Sequence, residues 1–407
     1  MSHRYASTSH RHVNKRTGVL VGGAATALLA AAIVLPQANA SPERPRLPRT
    51  FSSESAARVA ASLKADLGAD RTAGWYLDAG KGQLVMNVLS AEDARRVEAE
   101  GAVAKVVRNS MSELQAASRT LSDSAAIPGT AWSIDPRTNR VSVTADRTVT
   151  GDELAALTKA VEKLGGGVAG VKRSSGEFRR YDGGAAGGVG SGGGGDGGGD
   201  GGAGGGEGGA LPVGGSAIFG GNARCSLGFN VTVQGAPAFL TAGHCGKGSA
   251  TWSADQAGAR RLGTVADAQF PEKDFALVKY DDPAARPESA VDLQNGSTQR
   301  ISRAAEAAVG MRVQRTGSTT GLSDGTVTGL NATVNYGNGD IVNGLIQTDV
   351  CAEPGDSGGA MFAEDAAVGL TSGGSGDCTQ GGETFFQPVT EALEATGAEI
   401  GSSGSGN

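Results

Sequence analysis

The sequence predicts an all-β domain of antiparallel barrels preceded by an α+β region, and three observations carry that reading. From Gly214 onward, short apolar runs alternate with Gly, Asn and Asp turns, with few helices expected until 389–397. Residues 41–182 lack cysteine and contain an internal repeat. In it, Trp75-Tyr76-Leu77-Asp78 followed by Leu84, Met86 and Val88 recurs as Trp132-Ser133-Ile134-Asp135 followed by Val141, Val143 and Ala145. Between the two regions, 183–209 is nearly all glycine with Ala, Ser, Val, Asp and Glu. That composition cannot bury apolar surface and is expected to stay disordered.

Taken in order, residues 1–40 read as an export signal. Arg11, Lys15 and Arg16 precede an apolar run from Gly18 to Leu35, and Ala38-Asn39-Ala40 is a small-residue cleavage site. The protein is therefore expected to be secreted, with no stable membrane insertion once the signal is removed. In 41–182 a helix is expected over 55–67, then a hairpin, a helix over 91–100 and a strand over 103–107. The second copy gives a hairpin, a helix over 151–164 and a strand over 167–171. Leu154, Leu157, Val161 and Leu164 share one stripe of that helix, and Thr150 is a plausible N-cap. The region thus reads as two ββαβ-like units, with Asp78 and Asp135 holding turns. The expected divisions are a signal (1–40), an α+β region (41–182), a glycine-rich linker (183–211) and a barrel domain (212–407). A net charge of −6 gives no basic patch, so nucleic acid is not an expected partner.

The chemistry centres on Cys351-Ala352-Glu353-Pro354-Gly355-Asp356-Ser357-Gly358-Gly359, where a serine stands in a glycine-rich turn. A serine hydroxyl needs an imidazole to take its proton, and the imidazole needs a carboxylate to fix its tautomer. Of the four histidines, His3, His10 and His12 lie within the signal, leaving His244 in Thr241-Ala242-Gly243-His244-Cys245. Asp274, where a polar turn enters the apolar run Phe275-Ala276-Leu277-Val278, is the best carboxylate. The order His, Asp, Ser is that of chymotrypsin, not of α/β-hydrolases or subtilisins. Backbone N–H groups of Gly355 and Ser357 are the expected oxyanion donors. The four cysteines, Cys225, Cys245, Cys351 and Cys378, allow three pairings. A zinc site is the rival use, but no Cys-x-x-Cys spacing occurs and an exported chain meets oxidising conditions, so disulfides are expected. Neither a metal nor a cofactor is expected.

Several stretches closely resemble the streptogrisins, secreted bacterial proteases of chymotrypsin fold related to α-lytic protease. They are Cys225-Ser226-Leu227-Gly228-Phe229-Asn230-Val231, the His244 and Ser357 loops, Arg315-Thr316-Gly317-Ser318-Thr319-Thr320-Gly321, Gly369-Leu370-Thr371-Ser372-Gly373-Gly374 and Phe385-Phe386-Gln387-Pro388-Val389. The resemblance implies two antiparallel six-stranded β-barrels and the pairings Cys225–Cys245 and Cys351–Cys378. It also implies that Arg315 neutralises Asp356, that Ser372 hydrogen-bonds the triad aspartate, and that Ser372-Gly373-Gly374 is the edge on which substrate adds as a strand. The implied pocket walls are Ala352, Glu353 and Pro354, Thr371, Gly373 and Gly374, and Thr384 and Phe385. Relatives specific for glutamate carry a histidine in this wall, and here none is to spare. A large apolar or aromatic residue before the scissile bond is therefore expected, with a basic residue read by Asp349 as the alternative. Lys273 and Phe275 flank Asp274 where Asn and Tyr are usual. Residues 41–182, most clearly Gly176-Glu177-Phe178-Arg179, resemble the pro-region of α-lytic-type proteases, which implies a folding template and inhibitor as partner, beside protein and peptide substrates. The enzyme is expected to be a monomer. A reading from another class, an inactive protease-fold binding protein, differs in that its Ser357 would not react with a serine-directed phosphonylating reagent.

Overall fold

A computed structural model of the protein describes residues 48–124, 126–181, 183–184 and 210–401. The expected signal and nearly all of the glycine-rich stretch lie outside the described residues. Ser52 caps the first helix, Ser53–Leu67, its side chain accepting the Ser55 N–H. The helix buries Ala56, Ala60, Leu63 and Leu67 on one stripe. The antiparallel hairpin Thr72–Asp78 and Gln83–Val88 follows, then the helix Ala91–Ala99, and Val103–Val106 returns parallel to Gln83–Val88. The second unit repeats this plan with Thr130–Asp135, Arg140–Ala145, Gly151–Lys163 and Ala169–Arg173. Thr150 occupies the N-cap position of Gly151–Lys163 but makes no side-chain cap bond. Asp78 accepts from the Lys81 N–H and Asp135 from the Arg137 N–H, so both hold turns.

One element was not anticipated: the helix Met111–Ser124 precedes the second hairpin, so each unit is αββαβ. Its signal is legible in retrospect. Ser110 and Glu113 form a reciprocal capping box, with Ser110 N–H on Glu113 Oε2 at 2.7 Å and Glu113 N–H on Ser110 Oγ at 3.2 Å. Leu114, Ala117 and Leu121 then supply the buried stripe.

Besides the separate two-stranded sheet of Ala290–Asp292 and Thr298–Arg300, the barrel domain is built on two large, mainly antiparallel sheets. In the second, Arg312–Gly317, Ala360–Ala363, Ala366–Asp377, Gly381–Pro388, Ile341–Thr348 and Gly321–Asn335 pair in turn, and the last pairs back on the first, closing a ring. In the first, Phe229–Val233, Ala236–Thr241, Phe275–Tyr280, Arg261–Gln269, Thr251–Ser253, Ala217–Gly220 and Ala223–Ser226 pair in that order. Among the described residues this sheet is an open path, so only the second barrel closes through six strands as expected. A core shared by both sheets joins Phe229, Leu240, Phe275 and Leu277 of the first to Ala360, Phe362 and Leu370 of the second. The described residues belong to one compact unit. Within it Thr130–Asp135 pairs antiparallel with the outer part of Gly321–Asn335, setting Ala131 opposite Val334 and Trp132 opposite Thr333. That pairing adds three strands to the second sheet, Arg303–Ala304 and Arg179–Arg180 joining Ala366–Asp377 to make eleven, and Phe178 and Ala131 are buried with Ala332, Val334, Leu345 and Phe385. The first unit docks separately, with the Leu77 N–H on Val309 O at 2.8 Å. Among the described residues no helix is long and apolar enough to cross a membrane.

Candidate active site

The strand Ala236–Thr241 ends in the short helix Gly243–Gly248, which fixes His244 at the junction of the two sheets. Cys225–Cys245 ties this point to the neighbouring hairpin, and Cys351–Cys378 braces the Ser357 loop, the two pairings the resemblance implies. His244 Nε2 lies 2.8 Å from Ser357 Oγ, and His244 Nδ1 lies 2.9 Å from Asp274 Oδ2 and 3.0 Å from Oδ1. The His244 backbone N–H also donates to Asp274 Oδ1. Burial works to raise the Asp274 pKa, but the His244 charge and hydrogen bonds from His244 and Ser372 outweigh it and hold the carboxyl below its ordinary range. With Nδ1 donating to the carboxylate, Nε2 is left to accept the serine proton. That is the geometry that makes a hydroxyl a nucleophile.

Ser357 is preceded by a turn in which Gly355 has φ +102°, a conformation open to glycine. The Gly355 N–H donates to the carbonyl oxygen of Tyr181 at 2.5 Å. Of the two N–H groups expected to form an oxyanion hole, it is this one that reaches that carbonyl. Residues Arg179–Arg180 pair antiparallel with Gly373 and Gly374, and the Tyr181 N–H donates to Ser372 O at 3.4 Å. On the far side, Gly183–Gly184 pair with Ala223 and Arg224. The end of the pro-region thus threads the cleft as an added strand. Tyr181 is 1% exposed, and a Cβ placed on Gly374 would come within 2.6 Å of its hydroxyl. The same Cβ would meet Glu383 O at 2.2 Å, so glycine at 374 serves the pairing with the adjacent strand as well as the space for the Tyr181 hydroxyl.

Asp356, beside the nucleophile, is fully buried with Arg315 Nη1 at 3.2 Å from its Oδ2. Its oxygens also accept the N–H groups of Thr319, Thr320 and Glu353 and the Thr320 hydroxyl. Burial, partly offset by Asp356, lowers the Arg315 pKa.

Residues 45–107 match the family described as alpha-lytic protease pro N-terminal, 109–165 match alpha-lytic protease prodomain, and 213–395 match trypsin. Streptogrisin-D of Streptomyces griseus is 49% identical over 400 residues, which is 98% of this chain and 93% of that one. The chain belongs to the streptogrisin-type serine proteases. Glutamyl endopeptidase 2 of Streptomyces griseus is 48% identical over 46% of this chain and 98% of its own. A solved glutamic acid specific serine protease, described as using a histidine triad in substrate binding, is 48% identical, covers 46% of this chain and all of its own, and gives a TM-score of 0.45.

Within this streptogrisin-type chain, four expected site residues behave differently from the simple expectation. Phe385 does not face the pocket that holds Tyr181. Its ring packs edge-on against Phe178 at 5.6 Å, because it alternates with Thr384 and Phe386 along the strand. Asp349 is exposed and its carboxylate accepts the Thr326 N–H at 2.6 Å, turned toward the backbone of the adjacent strand. Glu353 accepts the Cys378 N–H, and Thr371 Oγ1 donates to Gly359 O behind the nucleophile. Two supports escaped sequence reasoning. Tyr336 Oη lies 3.1 Å from Ser372 Oγ, and Gln387 Oε1 accepts the Asp274 N–H at 2.9 Å. Lys273, unusual at its position, pairs with Glu391, which in turn accepts from Gln387.

Proposed function

We propose that this serine protease is a secreted endopeptidase in which Ser357 attacks, His244 takes and returns the proton, and Asp274 orients the imidazole and stabilises its cation. The 2.8 Å contact between His244 Nε2 and Ser357 Oγ, backed by Nδ1 on Asp274, carries this reading. The Gly355 and Ser357 N–H groups stabilise the oxyanion, Ser372 supports Asp274, and the Arg315–Asp356 pair holds the loop. An acyl-enzyme forms with loss of the leaving amine and is then hydrolysed. The preferred residue before the scissile bond is large and apolar or aromatic, as the burial of Tyr181 against Gly374 supports. The Asp349 carboxylate is engaged with Thr326, which disfavours the basic alternative. The inactive-binding alternative leaves the aligned nucleophile, base and carboxylate without a purpose.

The domain divisions 41–182, 183–211 and 212–407 and the role of the first as folding template and inhibitor belong to the same proposal. They are supported by the tail strand lying across the cleft. The test is a panel of peptides differing only in the residue before the scissile bond, with phosphonylation of Ser357 as a check on the nucleophile. Efficient turnover after Phe, Tyr and Leu is expected. Preferential turnover after Lys, Arg or Glu, or no labelling of Ser357, would overturn the reading.

A further inference from the structure

The tail that crosses the cleft touches the barrels at more than Tyr181, and the residue before it meets two groups of different chemistry. The Arg180 guanidinium carbon lies 5.4 Å from the centre of the Phe270 ring, and Arg180 Nη1 lies 3.5 Å from Asp340 Oδ2. Phe270 also stands edge-on to His244 at 5.7 Å, so this contact adjoins the proposed base. Phe270 directly follows Arg261–Gln269 of the first sheet, and Asp340 directly precedes Ile341–Thr348 of the second. The Glu272 N–H donates to Ile341 O at 2.8 Å and the Asn343 N–H donates to Glu272 O at 2.9 Å. These two bonds lie within the barrel domain itself, so the ring and the carboxylate are held together whatever strand occupies the cleft.

An aromatic face attracts a planar cation, and a carboxylate on the opposite flank repels an acid and pairs with a guanidinium. We infer that Phe270 and Asp340 form a subsite that selects arginine at the second position before the scissile bond. Arg180 is its occupant in the precursor. The inference rests on the Proposed function, since it takes Tyr181 as the residue at the first position. Cleavage specificity of the mature enzyme is then a two-residue signal, a basic side chain followed by an aromatic one.

The mature enzyme, purified after expression of the full chain, is assayed on internally quenched peptides Phe-Arg-Xaa-Tyr-Asp-Gly-Gly with Xaa Arg, Gln or Glu. A half-exposed ion pair and one cation–π contact together correspond to a kcat/KM preference of roughly three- to ten-fold for Arg over Gln. Glu should fall below Gln, and the preference should narrow in high salt. In the charge-reversed Asp340→Lys enzyme, with active sites counted by phosphonate titration, the order should invert toward Glu. Equal kcat/KM for the three wild-type substrates would overturn the subsite, and so would an arginine preference retained in Asp340→Lys. The wild-type comparison decides the matter even where the variant does not fold. Cleavage of none of the three peptides, beside efficient cleavage after Lys or Glu in the wider panel, would overturn the pocket reading itself and the subsite with it.

Discussion

At the scale of single residues, the site is a set of buried polar groups whose roles differ in what their loss leaves behind. Replacing Ser357 by Ala removes the nucleophile but leaves the oxyanion donors, so the amidase rate should fall by about 10⁴-fold or more without vanishing. Burst titration and steady-state rates on the purified variant check this, and near-normal hydrolysis would contradict it. The pH profile follows from the Asp274 carboxyl being held below its ordinary range. As pH falls, the imidazole gains its proton while Asp274 is still ionised, and the base is lost in one step. A kcat/KM profile from pH 4 to 9 should therefore show a single acid limb. A flat profile would exclude a histidine base, and a two-step acid limb would mean that Asp274 is not held low. Arg315 differs again, because it neutralises a carboxylate with no exposure to water. Arg315→Met should cost about 3–5 kcal/mol by leaving Asp356 unpaired, measurable as faster unfolding of the mature enzyme. The three residues of the proposed triad, which lie within hydrogen-bond distance of one another, could be picked out in the sequence because four histidines reduce to one candidate and the serine sits in a glycine-rich loop. Tyr336 and Gln387 could not, since their contacts depend on how distant strands pass one another.

At the scale of elements, hydrophobic periodicity foretold most strands and helices of both pro-region units, whereas the cap signals did not: Thr150 makes no side-chain cap bond, and the Ser110–Glu113 box opens a helix that was not anticipated. The pairing partners of Thr130–Asp135 were not legible. Thr130 to Ile134 are all buried even though Thr130 and Ser133 are polar, and nothing local reveals that one edge meets Gly321–Asn335 of the barrel. The orientation of Phe385 was hidden for a related reason. A motif fixes the residue but not which face of the strand it takes, and one step along the pleat reverses the side chain. The consequence can be tested on the tail strand. Phe178 is 3% exposed and packs on Phe385. Truncating a buried phenylalanine costs about 3–5 kcal/mol, so Phe178→Ala should weaken inhibition by the pro-region in trans by 10²-fold or more. The mature enzyme, which no longer carries residue 178, should have unchanged kcat/KM. An inhibition constant equal to that of the unaltered pro-region would show that the tail contributes nothing beyond Tyr181.

At the scale of the whole molecule, pro-region and barrels share one extended sheet and a common apolar cluster. That continuity supports the proposed template role, since Thr130–Asp135 pairs along the outer part of Gly321–Asn335, a strand of the second barrel. Expression of 212–407 alone should give little active enzyme, with rescue by 41–182 supplied as a separate chain, and equal active yields would remove the idea. The same arrangement bears on where the precursor is cut. Cleavage after Leu211 would put Pro212 just beyond the scissile bond, where its ring replaces the leaving N–H and restricts the preceding residue. Tyr181 instead has its carbonyl on the Gly355 N–H, its backbone paired along Ser372 to Gly374, and the chain beyond it, Gly183–Gly184, paired on the opposite side of the cleft. This is the arrangement of a substrate across a scissile bond, and no other peptide of the described chain lies there. Cleavage should therefore fall after Tyr181, leaving the glycine-rich arm as the N-terminus of the mature enzyme. That extension is tolerable because Asp356 takes its countercharge from Arg315 and does not require a newly made amino group. N-terminal sequencing and intact mass of the secreted enzyme should give a start at Asp182. A start at Pro212 or within 213–218 would refute the assignment, whereas a start at Arg180 or Tyr181 would point to cleavage after a basic residue and so revive the alternative that the Asp349–Thr326 contact disfavours.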